Sequence, residues 1–419
     1  MKEFSFKAPV PYPSIVFLYA TLFFQFLPAA YIHFFQEYSA RGSLHSEVVF
    51  FLAAERMFFS STYLVFTFLA LWLLVNKTVG QKGSSDSYLA ILSVARIRRL
   101  VAGLLFLSFC FIFLYGVNGG FQKVALLGSD WSSRDYRYLN FNEVPREYTY
   151  MLQVARRIIL PAAIFVLFFL YFRGLRALKG LIFIACVLQI LGGAMTFARA
   201  PFAMLLVSIF FAMYLSYTSV LKRLLVVLVA VICLVLMAGL ITKLQYNIVE
   251  FDLVEITETG ADFLVNRSWL VPVAVAINLS FALFDGETNN LYLSGSRLLG
   301  FFTGDVIGTL EGRSLIVAPV GFIGDIWRNF GVWGLAFSPW LFFSLFYWLD
   351  ARFEKLNPFK RMLGSYLTVA LVFYWIMGVF FSAGAMLTLL AVCFVHFPKV
   401  RLRRSHDISS FPSSIESTR

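Results

Sequence analysis

Apolar stretches of near-constant length decide what this chain can fold into. They fall near residues 13–35, 48–75, 100–118, 157–172, 180–198, 201–217, 224–243, 331–349, 363–382 and 385–397. A hydrocarbon core about 30 Å thick is crossed by ~20 helical residues, so each stretch reads as a candidate span. None alternates apolar and polar residues with period two, which excludes a transmembrane barrel. With 60% hydrophobic and 14% charged residues, the chain is too apolar to be covered as one soluble core. The expected fold class is an all-α polytopic integral membrane protein of about ten transmembrane helices. The first stretch is not framed by a charged n-region and a small-residue cleavage site, so it is expected to be a retained span. The four cysteines, Cys110, Cys186, Cys233 and Cys393, lie inside these stretches and suit small-residue packing, with no metal or disulfide spacing.

Lysine and arginine in short loops set the orientation. Alternate loops carry Lys77, Lys82, Arg96, Arg98 and Arg99, then Arg173, Arg176 and Lys179, then Lys222 and Arg223. Arg352, Lys355, Lys360 and Arg361 follow, and the tail adds Lys399, Arg401, Arg403 and Arg404. Ten spans that begin inside place every one of these groups, and both termini, in the cytoplasm. The expected layout is a single transmembrane domain over 1–404 with a polar cytoplasmic tail at 405–419. Two large loops, about 119–156 and 244–330, then lie on the opposite face, and function is to be sought there. Within the second, residues 268–284 are nearly all apolar but interrupted by Pro272 and Asn278. That suits a half-helix dipping into the membrane; if it spans, the count becomes twelve.

The outer side is rich in arginine: Arg134, Arg137, Arg146, Arg156, Arg157, Arg199, Arg267, Arg297, Arg313 and Arg328. Arginine presents a planar fork of donors that fits phosphate and carboxylate, and it stays charged in any setting. An outer-leaflet anion such as a lipid-linked pyrophosphate is the expected ligand; snorkelling to headgroups explains some of the set. Arg199 stands out, at the apex between two apolar stretches with Pro201 placed to start the second. Proline suits a first helical turn, whose free N–H groups form a natural anion site. Glu55 and Arg56 lie well inside the second stretch, where ionisable groups face a polar cavity or a partner helix.

Residues 300–337 gather Asp305, Glu311, Arg313, Asp325 and Arg328 among many glycines, just before a span. A glycosyl transfer needs such types: a carboxylate to take the acceptor proton and cations to steady a leaving phosphate. The run SDWSSRDYRYLNF in the 119–150 region, with Arg137, mixes rings and charges in the way sugar-contacting loops do. No Walker loop, dinucleotide fingerprint, metalloprotease motif or serine elbow occurs. Nucleic-acid binding is not expected, because no soluble basic domain exists to carry it.

This pattern resembles the O-antigen polymerase (Wzy-type) family of bacterial polysaccharide polymerases. The likeness covers the layout of nearly the whole chain and is sharpest in TFARAPF, around Arg199, and in APVGFIGDIWRNFGVWGLAF at 318–337. Arginine-x10-glycine spacings of the family's kind occur from Arg297 to Gly308 and from Arg313 to Gly324, here both in one loop. The resemblance implies an inner-membrane enzyme that joins undecaprenyl-diphosphate-linked oligosaccharide repeats on the periplasmic face. It implies no nucleotide sugar, metal or other cofactor, and a separate membrane chain-length regulator as a possible partner. Arg199 and some of Arg267, Arg313 and Arg328 would hold diphosphate, with Arg56 and Arg137 as further substrate contacts; Asp325, Glu311 or Asp305 would be the base. An O-antigen ligase shares the layout, but a histidine is expected in its large outer loop, and 244–330 contains none. A flippase or transporter predicts polar groups spread through many spans and pseudo-symmetric halves.

Overall fold

A computed structural model of the chain describes residues 10–35, 47–79, 94–122, 144–196, 199–245, 252–277, 309–310, 313–314, 321–356, 358–377 and 383–397. Every one of the apolar stretches is helical over most of its described residues. The elements are α1 (Pro13–Phe35), α2 (Glu47–Val79), α3 (Val94–Tyr115), α4, α5 (Lys179–Ala194), α6 (Arg199–Ser216) and α7 (Val220–Gln245). The rod α4 runs Arg146–Val154, passes through the π-helical turn Ala155–Ile159 and continues as Leu160–Phe172. Then come α8 (Leu253–Asp262), α9 (Val271–Ala276), α10 (Gly321–Phe353), α11 (Pro358–Met377) and α12 (Ala383–His396). The one strand pair described, β1 (Thr309–Leu310) with β2 (Arg313–Ser314), is a two-residue antiparallel bridge. Among the described residues, seven helices are long and apolar enough to cross a membrane. The protein is an all-α polytopic membrane protein.

The helices differ in how deep they lie. The window of α4 is 61% buried, against 17% for α7, so α4 is a core rod and α7 an outer one whose leucines and valines face lipid. From α1, the Phe17 ring meets Phe68 of α2, Phe342 and Phe346 of α10 and Trp375 of α11 at 4.4–6.4 Å. Phe165 of α4 stacks on Tyr366 of α11 at 4.5 Å, and the Tyr366 hydroxyl shares a 2.7 Å hydrogen bond with Ser208 of α6. Large rings filling the space between helices are how a bundle gains dispersion where lipid offers no hydrophobic drive.

One end of the bundle is closed by polar contacts. The Ser14 N–H donates to the Asp350 carboxylate at 3.1 Å, so an acid from the end of α10 caps the start of α1. Beside it the Tyr12 hydroxyl donates to Glu354 at 3.3 Å; burial and then that carboxylate push the phenol above its usual range. Ser365 of α11 donates to the Pro11 carbonyl at 3.3 Å, and Lys360 to Val395 of α12 at 3.4 Å. Arg173, just past α4, reaches the Leu215 carbonyl near the end of α6 at 3.4 Å. The starts of α1 and α11 therefore share an end with the finishes of α4, α6, α10 and α12.

Several boundaries differ from the sequence reading: α4 reaches back to Arg146 and takes up part of the expected 119–156 loop, and α11 begins at Pro358. The helix α3 starts earlier, at Val94, and takes Arg96, Arg98 and Arg99 into its first turns. The helix α10 starts at Gly321 and breaks at Gly331 (φ 59°, ψ −152°), a backbone region open only to glycine. Its first ten residues are a separate half-helix. The described part of the 268–284 segment, α9, is also short and buried, with Val273, Ala274, Ala276 and Ile277 packed toward α1, α2 and α10.

Candidate functional site

Proline placement builds the site. Three π-helical turns, Leu22–Phe26, Ala155–Ile159 and Phe263–Leu270, each end two residues before a proline: Pro28, Pro161 and Pro272. Proline has no N–H, so the carbonyl four residues back loses its donor and the ladder shifts register. The shift is visible in Leu27 donating to Leu22 and Leu160 donating to Ala155, each five residues back. Such bulges are enriched at functional sites because they free backbone groups and re-aim side chains.

In α4 the freed carbonyls belong to Arg156 and Arg157. Gln189 of α5 donates through Nε2 to the Arg156 carbonyl at 3.0 Å and to the Pro201 carbonyl of α6 at 2.8 Å. The Tyr374 hydroxyl of α11 donates to the Arg157 carbonyl at 3.0 Å. One bulge thereby ties four helices together. It also sends the Arg156 guanidinium to the α5–α6 apex and the Arg157 guanidinium to Tyr374 of α11.

Arg156 is only 3% exposed. Its Nη1 donates to Thr196 and, at 3.4 Å, to the Gly192 carbonyl, while Nε reaches Gln153 at 3.3 Å. Thr196 is fixed in turn by donating to the Gly193 carbonyl at 3.1 Å. The Arg157 guanidinium lies 5.7 Å over the Tyr374 ring, and its Nε is buried with no hydrogen-bond partner among the described residues. A cation placed on a ring with donor capacity to spare is suited to receive an anion. Arg199 begins α6 three residues beyond Thr196, with Pro201 in the first turn. Arg156 and the backbone of Arg199 thus share the apex, and Arg157 sits next in the chain to Arg156, on the α11 side of the same bulge.

A second polar group lies on the α10 half-helix. Asp325 is fully buried there, one turn beyond Gly321, whose φ is +63°. Gln25, in the α1 bulge, lies against Gly321: a Cβ on that glycine would be 3.1 Å from both amide atoms. Adjacent residues of α11 connect the two groups. Tyr374 serves Arg157, while Trp375 packs at 5.6 Å on Phe342, which contacts Phe322 of the half-helix.

Of the residues singled out from sequence, Asp325 is in the core and Arg56 lies on an exposed face of α2 with Glu55 half-buried beside it. Arg199, Arg267, Arg313 and Arg328 are placed by backbone alone: the start of α6, the third π turn, β2 and the half-helix. Asp305, Glu311 and Arg137 lie outside the described residues. Arg267 and Asp325 sit on segments joined by the packing of α9 against α10. Sequence reasoning counted Arg156 and Arg157 only among the outer arginines and passed over Gln25, Gln189 and Tyr374. The proline two residues beyond each bulge marks the turns that hold Gln25, Arg156 and Arg157, whereas Gln189 and Tyr374 have no such local mark. No protein-family model, curated protein or solved structure matches the chain.

Proposed function

We propose that this protein is a glycosyltransferase that polymerises undecaprenyl-diphosphate-linked oligosaccharide repeats into O antigen or a similar surface polysaccharide, on the periplasmic face of the inner membrane. The observation that carries this reading is the arginine apex: buried Arg156, Arg157 with unused donor capacity, and Arg199 at a helix start. Arg157 and Arg199 hold the donor's diphosphate, and Arg156 positions them by fixing the bulge to the α5–α6 apex. Arg267, Arg313 and Arg328 extend the anion site from the loops. A carboxylate, Asp325 or one of Asp305 and Glu311, accepts the proton of the acceptor hydroxyl.

In the reaction, that hydroxyl oxygen bonds to the anomeric carbon as the carbon–oxygen bond to diphosphate breaks. The leaving diphosphate takes the bonding pair, and its charge is met by arginine forks. The test is a gel of surface polysaccharide from a strain lacking this chain, with and without complementation. Loss of the long-chain ladder with single repeats still on the core supports polymerisation. Loss of all repeats indicates a ligase or flippase instead, and an unchanged ladder removes the reading.

A further inference from the structure

Two polar side chains in the middle of α1 have no work in the described protein. Gln25 is fully buried, and neither its Nε2 nor its Oε1 has a hydrogen-bond partner among the described residues. Thr21, one turn earlier and 1% exposed, has an equally unused hydroxyl. Several hydroxyls elsewhere in the helices return a bond to the carbonyl four residues back, as Thr62, Ser208, Ser216, Thr242 and Thr368 do, while Ser14 and Ser108 share the unbonded state of Thr21 among the described residues. That is the default for a hydroxyl that must be satisfied inside a membrane. Thr21 does not follow it. An orphaned buried amide costs on the order of 1–3 kcal/mol, and a methionine of the same shape would avoid that cost.

The amide is aimed at a specific place. It lies beside Gly321, at the start of the α10 half-helix, whose first N–H groups have no intrahelical partner. Asp325 is one turn along the same helix, on the same stripe as Gly321 and fully buried. Phe17 and Phe322, 5.8 Å apart, bring their rings to the same region. Orphaned together, the amide's donor and acceptor are both answered by a hydroxyl, which gives and takes; a phosphate would answer only the donor.

We propose that Gln25, set against the start of the α10 half-helix, and Thr21, one turn earlier on α1, form a subsite for hydroxyl groups of a glycosyl unit, the acceptor sugar of the transfer. This deepens the glycosyltransferase reading and rests on it. The subsite lies on the α1–α10 seam, apart from the arginine apex on α4, so donor diphosphate and acceptor hydroxyls are held by different helices.

The test compares Gln25→Met and Thr21→Val, both near-isosteric, with the native protein in the deletion strain and as purified protein in detergent. Each variant is expected to insert normally and to melt at or above the native temperature. Each is expected to shift upward in melting with inorganic diphosphate as the native protein does, because the arginine apex is intact. Long-chain polysaccharide is expected to fall roughly tenfold or more, the scale of one stranded hydroxyl. A normal ladder in Gln25→Met overturns the subsite alone, as does a large loss of melting temperature, which would make Gln25 structural. An unchanged ladder in the deletion strain itself removes both proposals.

Discussion

The Tyr374 hydroxyl donates to the Arg157 carbonyl at 3.0 Å while the Arg157 guanidinium lies 5.7 Å over the same ring. One side chain thereby supplies the donor that Pro161 cannot and seats the cation beside it. Tyr374→Phe keeps the ring but strands the carbonyl, at about 0.6–2 kcal/mol for a hydrogen bond between membrane helices. Tyr374→Leu loses the ring contact as well. The expected order of melting temperature and of polymer yield is native, then phenylalanine, then leucine. A phenylalanine variant as poor as leucine would show that the hydroxyl alone matters.

Neighbouring arginines are expected to fail in different ways. Arg156 is buried and bonded to Thr196 and the Gly192 carbonyl, so Arg156→Met breaks a link between α4 and the α5–α6 apex. Its replacement lowers melting temperature by the equivalent of ~1–3 kcal/mol and loses function with it. Arg157 makes no ion pair among the described residues, so Arg157→Gln leaves melting nearly unchanged and removes function. Arg157→Lys also fails if the fork is needed, since lysine offers only a point charge. Equal stability losses at both positions would contradict this division.

The difference between the two arginines was not legible in the sequence, although much around them was. Helices at the ten stretches follow from residue type alone, because every backbone group in a membrane must bond within its own helix, although among the described residues only seven helices are long and apolar enough to cross. The apex at Arg199 was equally visible, since Pro201 can only begin a helix there. What hid Arg156 is that its depth depends on a bulge of one extra residue per turn, and a bulge turns the following side chains by about 100°. Pro161 announces such a defect but not which carbonyl partner repairs it. Tyr374, 217 residues beyond Arg157, carries no local sign of that task. Gln25 is similar: an amide in a phenylalanine-rich span reads as an incidental polar residue until the structure leaves both its atoms unbonded.

Gly331 is expected to resist substitution. Its φ of 59° with ψ −152° turns the chain between the two parts of α10, and any Cβ there is strained by about 1–3 kcal/mol. Gly331→Ala should lower the melting temperature and, by rotating the half-helix that carries Asp325, cut polymer yield further than the stability loss explains. Native yield from this variant would mean that the orientation of the half-helix is not set at Gly331.

The closest backbone approach at a glycine lies where α8 crosses α7. A Cβ on Gly239 would lie 1.9 Å from the Ile256 carbonyl oxygen, and one on Gly260 would lie 2.0 Å from that of Val235. Both obstacles are backbone, so no rotamer change relieves them and the helices must separate. Separation also pulls Lys243 from Glu255, the ion pair that closes the same hairpin. Gly239→Ala and Gly260→Ala should each lower the melting temperature by the equivalent of ~1–3 kcal/mol. The double variant should cost little more than either alone, because the first alanine already opens the crossing. A methyl group on Gly103 or on Gly180 would meet no atom within 4 Å, so alanine variants at those positions should melt like the native protein. Fully additive losses at Gly239 and Gly260 would show that the two contacts are independent and that α8 does not move as one body against α7.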